Sequence, residues 1–516
     1  MHGTELLLLL VGSLAIATLA RRLNWSAPLL LVAVGLGVSF IPGVPAFDID
    51  PELILVLVLP PLLYSAALDS SYLNIKANLR PIGLLSVGLV LATMAVVGFV
   101  AHMIIPGLSL AAAFVLGAIV APPDAVAAVS IGRKLGLPRR TMTVLAGESL
   151  ANDASALTAY KVAVAAATGA ASISFGNSVL TFLISALGGI AIGYVLGVLV
   201  HAIRLRIGDG VLESALGMLV PFGTYLLAES VHTSGVLAVV VAGLYLGHNA
   251  PRAGFATRLQ ETAVWQSVDV LLESLVFALI GLQLKSVVGG DISWPVLVGA
   301  IVLLVVTIVV RFVWMFPGTY VPRYLSKRIR DREPDPGWRS VVVVSWAGMR
   351  GVVSLAAASA IPHDMPGRDT VVFCAFVVTV GTLLLQGLSL PLLIRKLGVR
   401  GDEHQSDALA EAQVQHRAAE ASVTRLDEVL TENEAPEYVV ERLRGIAESR
   451  GNAAWERLGR QETESPAAAH RRLRRVMLDA EREVFVAARD AREIDDEVLR
   501  RVLRELDLEE ARLSRE

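Results

Sequence analysis

Long apolar runs dominate most of the chain and restrict the folds that it can adopt. They recur from about residue 5 to residue 394, and each extends over roughly 15–25 residues before a short loop interrupts it. A helix of that length crosses a hydrocarbon core of about 30 Å, whereas a barrel strand needs only about 10 residues. With 54% hydrophobic residues and a mean hydropathy of +0.60, the chain is predicted to be an all-α polytopic membrane protein.

We predict thirteen membrane spans, and the charges of the loops give their orientation. Basic residues gather in alternate loops, for example at Arg21, Arg139 and Arg323, and the intervening loops are almost free of them. Because cytoplasmic loops carry an excess of Lys and Arg, the N-terminus is predicted to lie outside the cell membrane and the C-terminus in the cytoplasm. The predicted spans are residues 5–20, 28–41, 52–67, 81–104, 109–131, 141–166, 178–203, 211–230, 235–248, 265–284, 294–316, 339–361 and 370–394.

The composition changes at about residue 400, which indicates a second domain. Residues 401–516 are rich in Glu, Arg and Ala and contain no apolar run of spanning length. We therefore divide the chain into a transmembrane domain, 1–400, and a cytoplasmic helical domain, 401–516. The role of the second domain is either packing and dimer support or regulation by pH or a partner. Its apolar residues recur at helical spacing, in the groups Leu473, Met477, Phe485 and Val498, Val502, Leu506.

The sixth predicted span places polar groups at membrane depth, in the stretch Gly147–Ala156. On a helix, Ser149, Asn152 and Asp153 share one face, whereas Glu148 lies on another. A carboxylate at that depth costs at least ~2.5–3.5 kcal/mol, so an intramembrane acid indicates a functional site unless the helix merely ends at an interface. The apolar run continues on both sides, which favours a site. A carboxylate surrounded by low dielectric can hold either a proton or a dehydrated cation, and this competition at an alternately exposed site results in exchange.

Two consecutive prolines, Pro122 and Pro123, interrupt the fifth span and are followed by Asp124. They remove two amide donors and clash with the preceding turn, so the helix is predicted to break there. The freed carbonyls need a cation, a water or a donor, because lipid supplies none. Asp124 would then cap the second half-helix. A broken helix with an acid at the break is typical of the central site of a transporter, and an ordinary proline kink is the alternative.

The twelfth span repeats this design around Arg350, which lies between two glycines. An intramembrane arginine keeps its charge and needs an anion, and we expect a structural ion pair between Arg350 and Glu148. Arg311 is then a candidate partner for Glu273. The two interrupted spans run in opposite directions, which predicts two inverted six-helix repeats, spans 1–6 and 8–13.

These motifs resemble the signatures of the monovalent cation:proton antiporter-1 family, the NhaP/NHE-type sodium/proton exchangers. The similarity extends in family order over residues 1–395, and the tail resembles those of bacterial members. The stretches that carry it are Leu59–Tyr64, Gly147–Asp153, Ala228–Glu229, Ser234–Ala238, Glu273–Phe277, Ser345–Gly351 and Gln386–Leu392.

The resemblance implies an NhaA/NhaP-like fold that works by alternating access of a core domain against a dimerising domain. It implies electroneutral exchange of one Na+ or K+ for one proton, for pH and cation homeostasis, by a homodimer in the cell membrane. The metal ion would be bound by Asp153, Ser149 and the main-chain carbonyl of Pro123, with Asn152 in support and Asp124 at the break. The implied partners are the cation, the proton and the bilayer, and neither a cofactor nor a nucleic acid is expected.

Two departures from the family pattern affect the predicted selectivity. The usual Thr-Asp-Pro at the break is Pro123-Asp124-Ala125 here, so a hydroxyl is lost while its carbonyl position remains. In the third span, the family often has an acid after the motif Pro-Pro-x-x-aromatic, and this chain has Ser65 at that position. The site would therefore have one charge fewer, and the choice between sodium and potassium stays open.

The remaining charged residues of the spans are weaker candidates. Glu229 and Glu273 are interpreted as ion-pair or helix-capping groups, with lining of the cation path as the alternative. Lys161 is expected to extend outward to the interface. A channel and an intramembrane hydrolase are the rival classes, the latter because Asp124 and Asp153 form a pair of intramembrane aspartates. The converging broken helices favour a transporter over an enzyme or a pore.

Overall fold

The computed structural model describes residues 3–23, 25–42, 56–124, 126–168, 175–282, 293–362, 364–401, 403–432, 435–458, 466–493 and 495–515. Within these ranges the regular secondary structure is helical. Internal contacts divide the chain into two compact units, Met1–Gly401 and Asp402–Glu516.

Helices make up nearly all of the described part of the first unit, and one of them, α5, contains a π-helical turn at Leu84–Leu89. In chain order they are α1 (Gly3–Arg22), α2 (Ala27–Ser39), α3 (Leu59–Leu68), α4 (Tyr72–Ala77), α5 (Leu79–Ile104), α6 (Leu110–Val120), α7 (Val126–Leu135), α8 (Arg139–Ala167), α9 (Phe175–Ile207), α10 (Gly210–Ser230), α11 (Gly235–Asn249), α12 (Phe255–Leu282), α13 (Trp294–Leu325), α14 (Lys327–Arg332), α15 (Gly337–Trp346), α16 (Val352–Ser359) and α17 (Arg368–Leu397).

Helix overlaps each of the apolar segments predicted as spans, so the prediction of an all-helical membrane protein is confirmed. Two boundaries differ by nine residues or more: α12 begins ten residues before the predicted 265, and α13 continues nine residues past 316. Residues 52–55 and 283–284 of two predicted spans lie outside the described residues, as does Ala125. Among the described residues, six helices are long and apolar enough to cross a membrane: α5, the 180–207 part of α9, α10, α12, α13 and α17.

Side-chain hydroxyls cap the N-termini of several helices in the first unit, among them α6 and α11. Ser109 precedes α6, and its Oγ accepts a hydrogen bond from the amide of Ala112 at 3.2 Å. Ser234 precedes α11, and its Oγ accepts one from the amide of Leu237 at 3.3 Å. The first amides of a helix have no partner within the helix, so these serines fix where both helices begin.

Glycine allows α2 and α12 to pack closely. A Cβ atom on Gly35 of α2 would lie 2.9 Å from backbone atoms of Ala278 and Gly281 of α12. Lipid provides no hydrophobic force between helices, so small residues that permit close contact stabilise their packing. This contact holds α12, which carries Glu273, beside α2.

The second unit contains α18 (Glu403–Glu432), α19 (Glu437–Leu458), α20 (Pro466–Asp490) and α21 (Asp496–Arg515). Helices α20 and α21 pack around buried Leu478, Leu506 and Leu513. Leu473 and Met477, which the helical spacing grouped with the apolar face, are exposed instead. The burial of Leu478 explains this difference, because a neighbour one position along faces about 100° away.

Ion pairs flank the apolar contact between α20 and α21. Arg474 donates to Glu481 at 2.8 Å and to both carboxylate oxygens of Glu509, at 2.8 and 2.9 Å. The hydrogen bond from Arg474 holds the pKa of Glu509 below its usual value of 4.5. A carboxyl whose pKa is lowered on folding stabilises the fold above its unfolded pKa, and this contribution is lost as the pH falls.

We expect Glu509→Gln to loosen α20 and α21 at pH 7 and to have a smaller effect near pH 3, because the stabilisation from the lowered pKa of Glu509 is lost as the pH falls. Protection factors of residues 466–515 in the full-length protein, measured by hydrogen–deuterium exchange, test this. Glu497→Gln, at an exposed acid of the same helix, is the control. Equal loss of protection at both pH values would contradict the assignment.

Candidate functional site

Both predicted helix interruptions are present. Helix α6 ends at Val120 and α7 begins at Val126, on either side of the two prolines. Helix α15 ends at Trp346 and α16 begins at Val352, on either side of the Arg350 segment. The prediction that these two spans are broken is therefore confirmed.

The two breaks meet and are joined through their main chains. The amide of Asp124 donates to the carbonyl of Met349 at 2.6 Å. Asp124 Oδ1 accepts from the amide of Val126 at 2.9 Å, which caps α7 as the sequence predicts. The Asp124 carboxyl lies where a Cβ atom on Gly351 would stand, so this close approach requires glycine. The breaks thus satisfy part of each other's main chain at a depth where lipid supplies no donors.

Arg350 is bound by carbonyls at the ends of two half-helices. Its Nε donates to the carbonyl of Val120, the last residue of α6, at 2.8 Å, and its Nη1 donates to the carbonyl of Gly348, just past α15. Its own amide donates to Thr382 Oγ1 of α17 at 3.1 Å. A helix C-terminus carries partial negative charge, so two such ends stabilise this buried guanidinium.

The predicted pair between Glu148 and Arg350 is wrong, because Glu148 is paired with Arg311 of α13. Arg311 binds both carboxylate oxygens, at 2.5 and 2.7 Å, and donates from Nε to the carbonyl of Val344 at 3.1 Å. Both residues are 1% exposed. The predicted pair between Arg311 and Glu273 is wrong for the same reason. The carbonyls freed at the breaks stabilise Arg350, which leaves Glu148 to the second arginine.

Helix α8 places the other predicted residues beside the α6–α7 break. Asn152, which is fully buried, donates from Nδ2 to the carbonyl of Pro123 at 2.5 Å. Asp153 is 7% exposed, and Asp124 acts on it electrostatically. Ser149 is half-buried and lies one turn before Asp153. The structure therefore places Asn152 against the carbonyl of Pro123 and Asp153 within electrostatic range of Asp124.

Asp153 differs from Glu148 in its electrostatic surroundings. Within the described residues no ion pair joins Asp153 to a basic side chain, whereas Glu148 is neutralised by Arg311. Asn152 Oδ1 is also buried and meets no hydrogen-bond donor in the described part of the chain. Among the described residues, a carboxylate without an ion pair and an amide oxygen without a donor thus lie at the break, and buried groups of this kind are costly unless they are satisfied.

The weaker candidates are placed by their contacts. Lys161, 64% exposed, donates to Glu229 at 2.9 Å, and Glu229 also accepts from the amide of Gly235 at the start of α11 at 3.4 Å. These are contacts of the ion-pair and capping kind. Ser65 of α3 donates from Oγ to Asp269 Oδ2 of α12 at 2.6 Å.

Sequence reasoning missed one residue of this region, Asp269, and assigned another, Arg311, to the wrong partner. Asp269 falls inside the predicted span 265–284, and its position four residues before Glu273 was a signal that could have identified it. No comparable signal identified Arg311 as the partner of Glu148, because 163 residues separate the two in the sequence.

Two broken helices that cross beside a buried carboxylate form the construction found at the central site of secondary transporters. The chain belongs to the sodium/hydrogen exchanger family, since the family described as "Sodium/hydrogen exchanger, transmembrane" matches residues 6–396. The family predicted from the motifs is therefore confirmed.

Named relatives and one solved structure agree with this membership. An uncharacterized Na+/H+ exchanger of Mycobacterium tuberculosis (strain ATCC 25618 / H37Rv) is 35% identical over 99% of this chain and 96% of its own. The Na+/H+ antiporter ApNhaP of Aphanothece halophytica is 33% identical over 82% of this chain and 80% of its own. The sodium proton antiporter MjNhaP1 from Methanocaldococcus jannaschii has the same fold, with a TM-score of 0.61 at 20% identity over 76% of this chain and 97% of that one.

We expect Arg311→Ala to lower the free energy of unfolding by about 3–5 kcal/mol, because it leaves the Glu148 carboxylate buried without its partner. Thermal unfolding of the purified protein in detergent, followed by tryptophan fluorescence, measures the change. Lys161→Ala removes an exposed pair and should cost no more than about 1 kcal/mol. Equal effects of the two substitutions would show that the buried pair is not special.

Proposed function

We propose that this protein is a secondary transporter that exchanges a monovalent cation, Na+ or K+, for H+ across the cell membrane by alternating access. The observation that carries the proposal is Asp153, a buried carboxylate without an ion pair among the described residues, beside the crossing of two broken helices. Membership of the sodium/hydrogen exchanger family supports it, as does the similarity to ApNhaP, which is named as a Na+/H+ antiporter.

Asp153 is the group at which the two substrates compete in this proposal. A buried carboxylate is stabilised either by a bound proton or by a bound cation, and the two states exclude each other. The further oxygens would come from Ser149 and from the carbonyl of Pro123, because a hard cation prefers oxygen ligands. Asn152 would fix the direction of that carbonyl through its hydrogen bond, and Asp124 would contribute negative charge at the start of α7.

The proposed exchange is of one cation for one proton, because the neighbour of Asp153, Asn152, is neutral. Position 152 is an amide, so Asp153 is the one acid of its helix turn that can alternate between proton and cation. Glu148 would not take part, because Arg311 neutralises it. One charge moving in each direction per cycle is electroneutral, and the rate would not depend on the membrane potential.

The topology belongs to the same proposal. Thirteen spans with an external N-terminus would form two inverted six-helix repeats, of which α6–α7 and α15–α16 are the corresponding broken members. A homodimer in the cell membrane would serve pH and cation homeostasis, with residues 401–516 in the cytoplasm. The distribution of basic loops and the two observed breaks support this arrangement.

We expect Asp153→Asn to abolish exchange and to leave a folded, inserted protein, since the amide is of equal size but can be neither protonated nor charged. Proteoliposomes loaded with a pH-sensitive dye report exchange as a fluorescence change on addition of Na+ and then of K+. The matched control is Asp369→Asn, at a fully exposed carboxylate. Normal exchange by Asp153→Asn would show that the assigned carboxylate is wrong.

The membrane potential separates exchange from conduction in the same vesicles. Clamping it with valinomycin and equal potassium should leave the sodium-driven signal unchanged if exchange is electroneutral. A current that persists without a counter-cation gradient would identify a pore instead.

A further inference from the structure

A second carboxylate, Asp269 of α12, lies at the contact between α12 and α3. Its Oδ2 accepts a hydrogen bond of 2.6 Å from Ser65 Oγ, and Ser65 is 4% exposed. Its Oδ1 is shielded from solvent and meets no hydrogen-bond donor in the part of the chain that the structure describes. One oxygen is therefore oriented by a neutral hydroxyl, and the other has lost water without gaining a protein partner.

This state of Asp269 is costly unless a cation or a proton satisfies it. A buried polar oxygen without a donor loses the free energy of its hydration, and the loss is larger for a charged group. Asp69, at the end of α3, also acts on Asp269, and because its charge has the same sign it adds repulsion. The contact with Ser65 alone does not explain why an acid is tolerated here.

Asp269 also belongs to a row of acids that leads to Asp153. Glu273 lies one turn further along α12 on the same face, and it is acted on by Asp269, by Asp124 and, with opposite sign, by Arg21 of α1. Asp124 in turn acts on Asp153. Each acid is thus within electrostatic range of the next.

Helices α3, α8 and α12 share one apolar cluster. Helix α3 contributes Leu63 and Tyr64, α8 contributes residues on both sides of Asp153, and α12 contributes Trp265 and a partly buried valine that precedes Asp269. Ser65, Asp153 and Asp269 therefore lie on helices that pack around the same centre.

We propose that Asp269, oriented by Ser65, is a carboxylate of the cation pathway that attracts the monovalent cation on the cytoplasmic approach to Asp153 and sets the apparent affinity for it. The inference rests on the proposed exchange function and adds a residue to it. Asp269 is within electrostatic range of Asp69 at the exposed end of α3 and of Glu273, on which Asp124 also acts. At Asp269 a dehydrating cation would therefore gain a negative partner before it reaches Asp153. Because it acts on approach, its charge affects the cation concentration for half-maximal rate more than the maximal rate.

A purely structural role for the Ser65–Asp269 contact predicts other results than a role in the cation pathway. Three variants distinguish the two roles. Asp269→Asn keeps a hydrogen-bond acceptor for Ser65 and removes the charge. Asp269→Glu keeps the charge on a longer side chain. The double variant Ser65→Asp with Asp269→Ser moves the carboxylate across the same contact.

The test measures the Na+ and K+ dependence of exchange in proteoliposomes, with unfolding temperature recorded for each variant. We expect Asp269→Asn to raise the half-maximal concentration of both cations about tenfold, equivalent to about 1.4 kcal/mol, and to leave the maximal rate within about twofold. Asp269→Glu and the double variant should recover most of the affinity. Asp369→Asn, at the exposed acid, should match the unsubstituted protein.

An unchanged half-maximal cation concentration in Asp269→Asn would overturn the inference. It would also be overturned if the half-maximal concentrations of Asp269→Glu and of the double variant were as high as that of Asp269→Asn. A lowered unfolding temperature with unaltered cation dependence would assign the contact to packing alone. If the inference alone fails, the unsubstituted protein still exchanges and Asp153→Asn still does not. If the unsubstituted protein moves no protons in response to either cation, the exchange function itself fails and the inference with it.

Discussion

The crossing of the two broken helices depends on the hydrogen bonds that Arg350 and Asp124 make at the ends of the half-helices. Arg350 binds the carbonyl that ends α6, and Asp124 caps α7 and donates its amide to Met349. Each charge thus stands at the helix end of opposite partial charge. In a medium that offers no water to free amides and carbonyls, this exchange of partners allows an irregular main chain to exist beside Asp153.

The charges around this crossing differ in how completely they are neutralised. Glu148 and Arg311 form a pair with two hydrogen bonds, and Arg350 is surrounded by carbonyls. Asp153 has neither kind of partner among the described residues. In the proposed function, an external cation or proton would gain binding energy at an acid that the protein leaves uncompensated in this way.

Local patterns predicted the helices and their interruptions, because apolar length, paired prolines and a glycine-flanked arginine act within one segment. The shared face of Asn152 and Asp153 likewise follows from helical periodicity alone. The partner of Glu148 could not be predicted in this way, since Arg311 and Arg350 are both intramembrane arginines distant in sequence and their choice depends on packing. Ser65 and Asp269 are separated by 204 residues in the sequence, and their contact was missed for the same reason.

The bidentate pair between α8 and α13 has a consequence for motion. Separating Glu148 from Arg311 would leave a bare charge in an apolar interior, which is strongly unfavourable. Asn152 similarly ties α8 to the α6–α7 break, and Arg350 ties that break to α15–α16. These contacts link α13 to the five helices of the crossing. In the proposed alternating-access cycle, any hinge or sliding surface that opens a route to Asp153 would lie at the edges of this linked group.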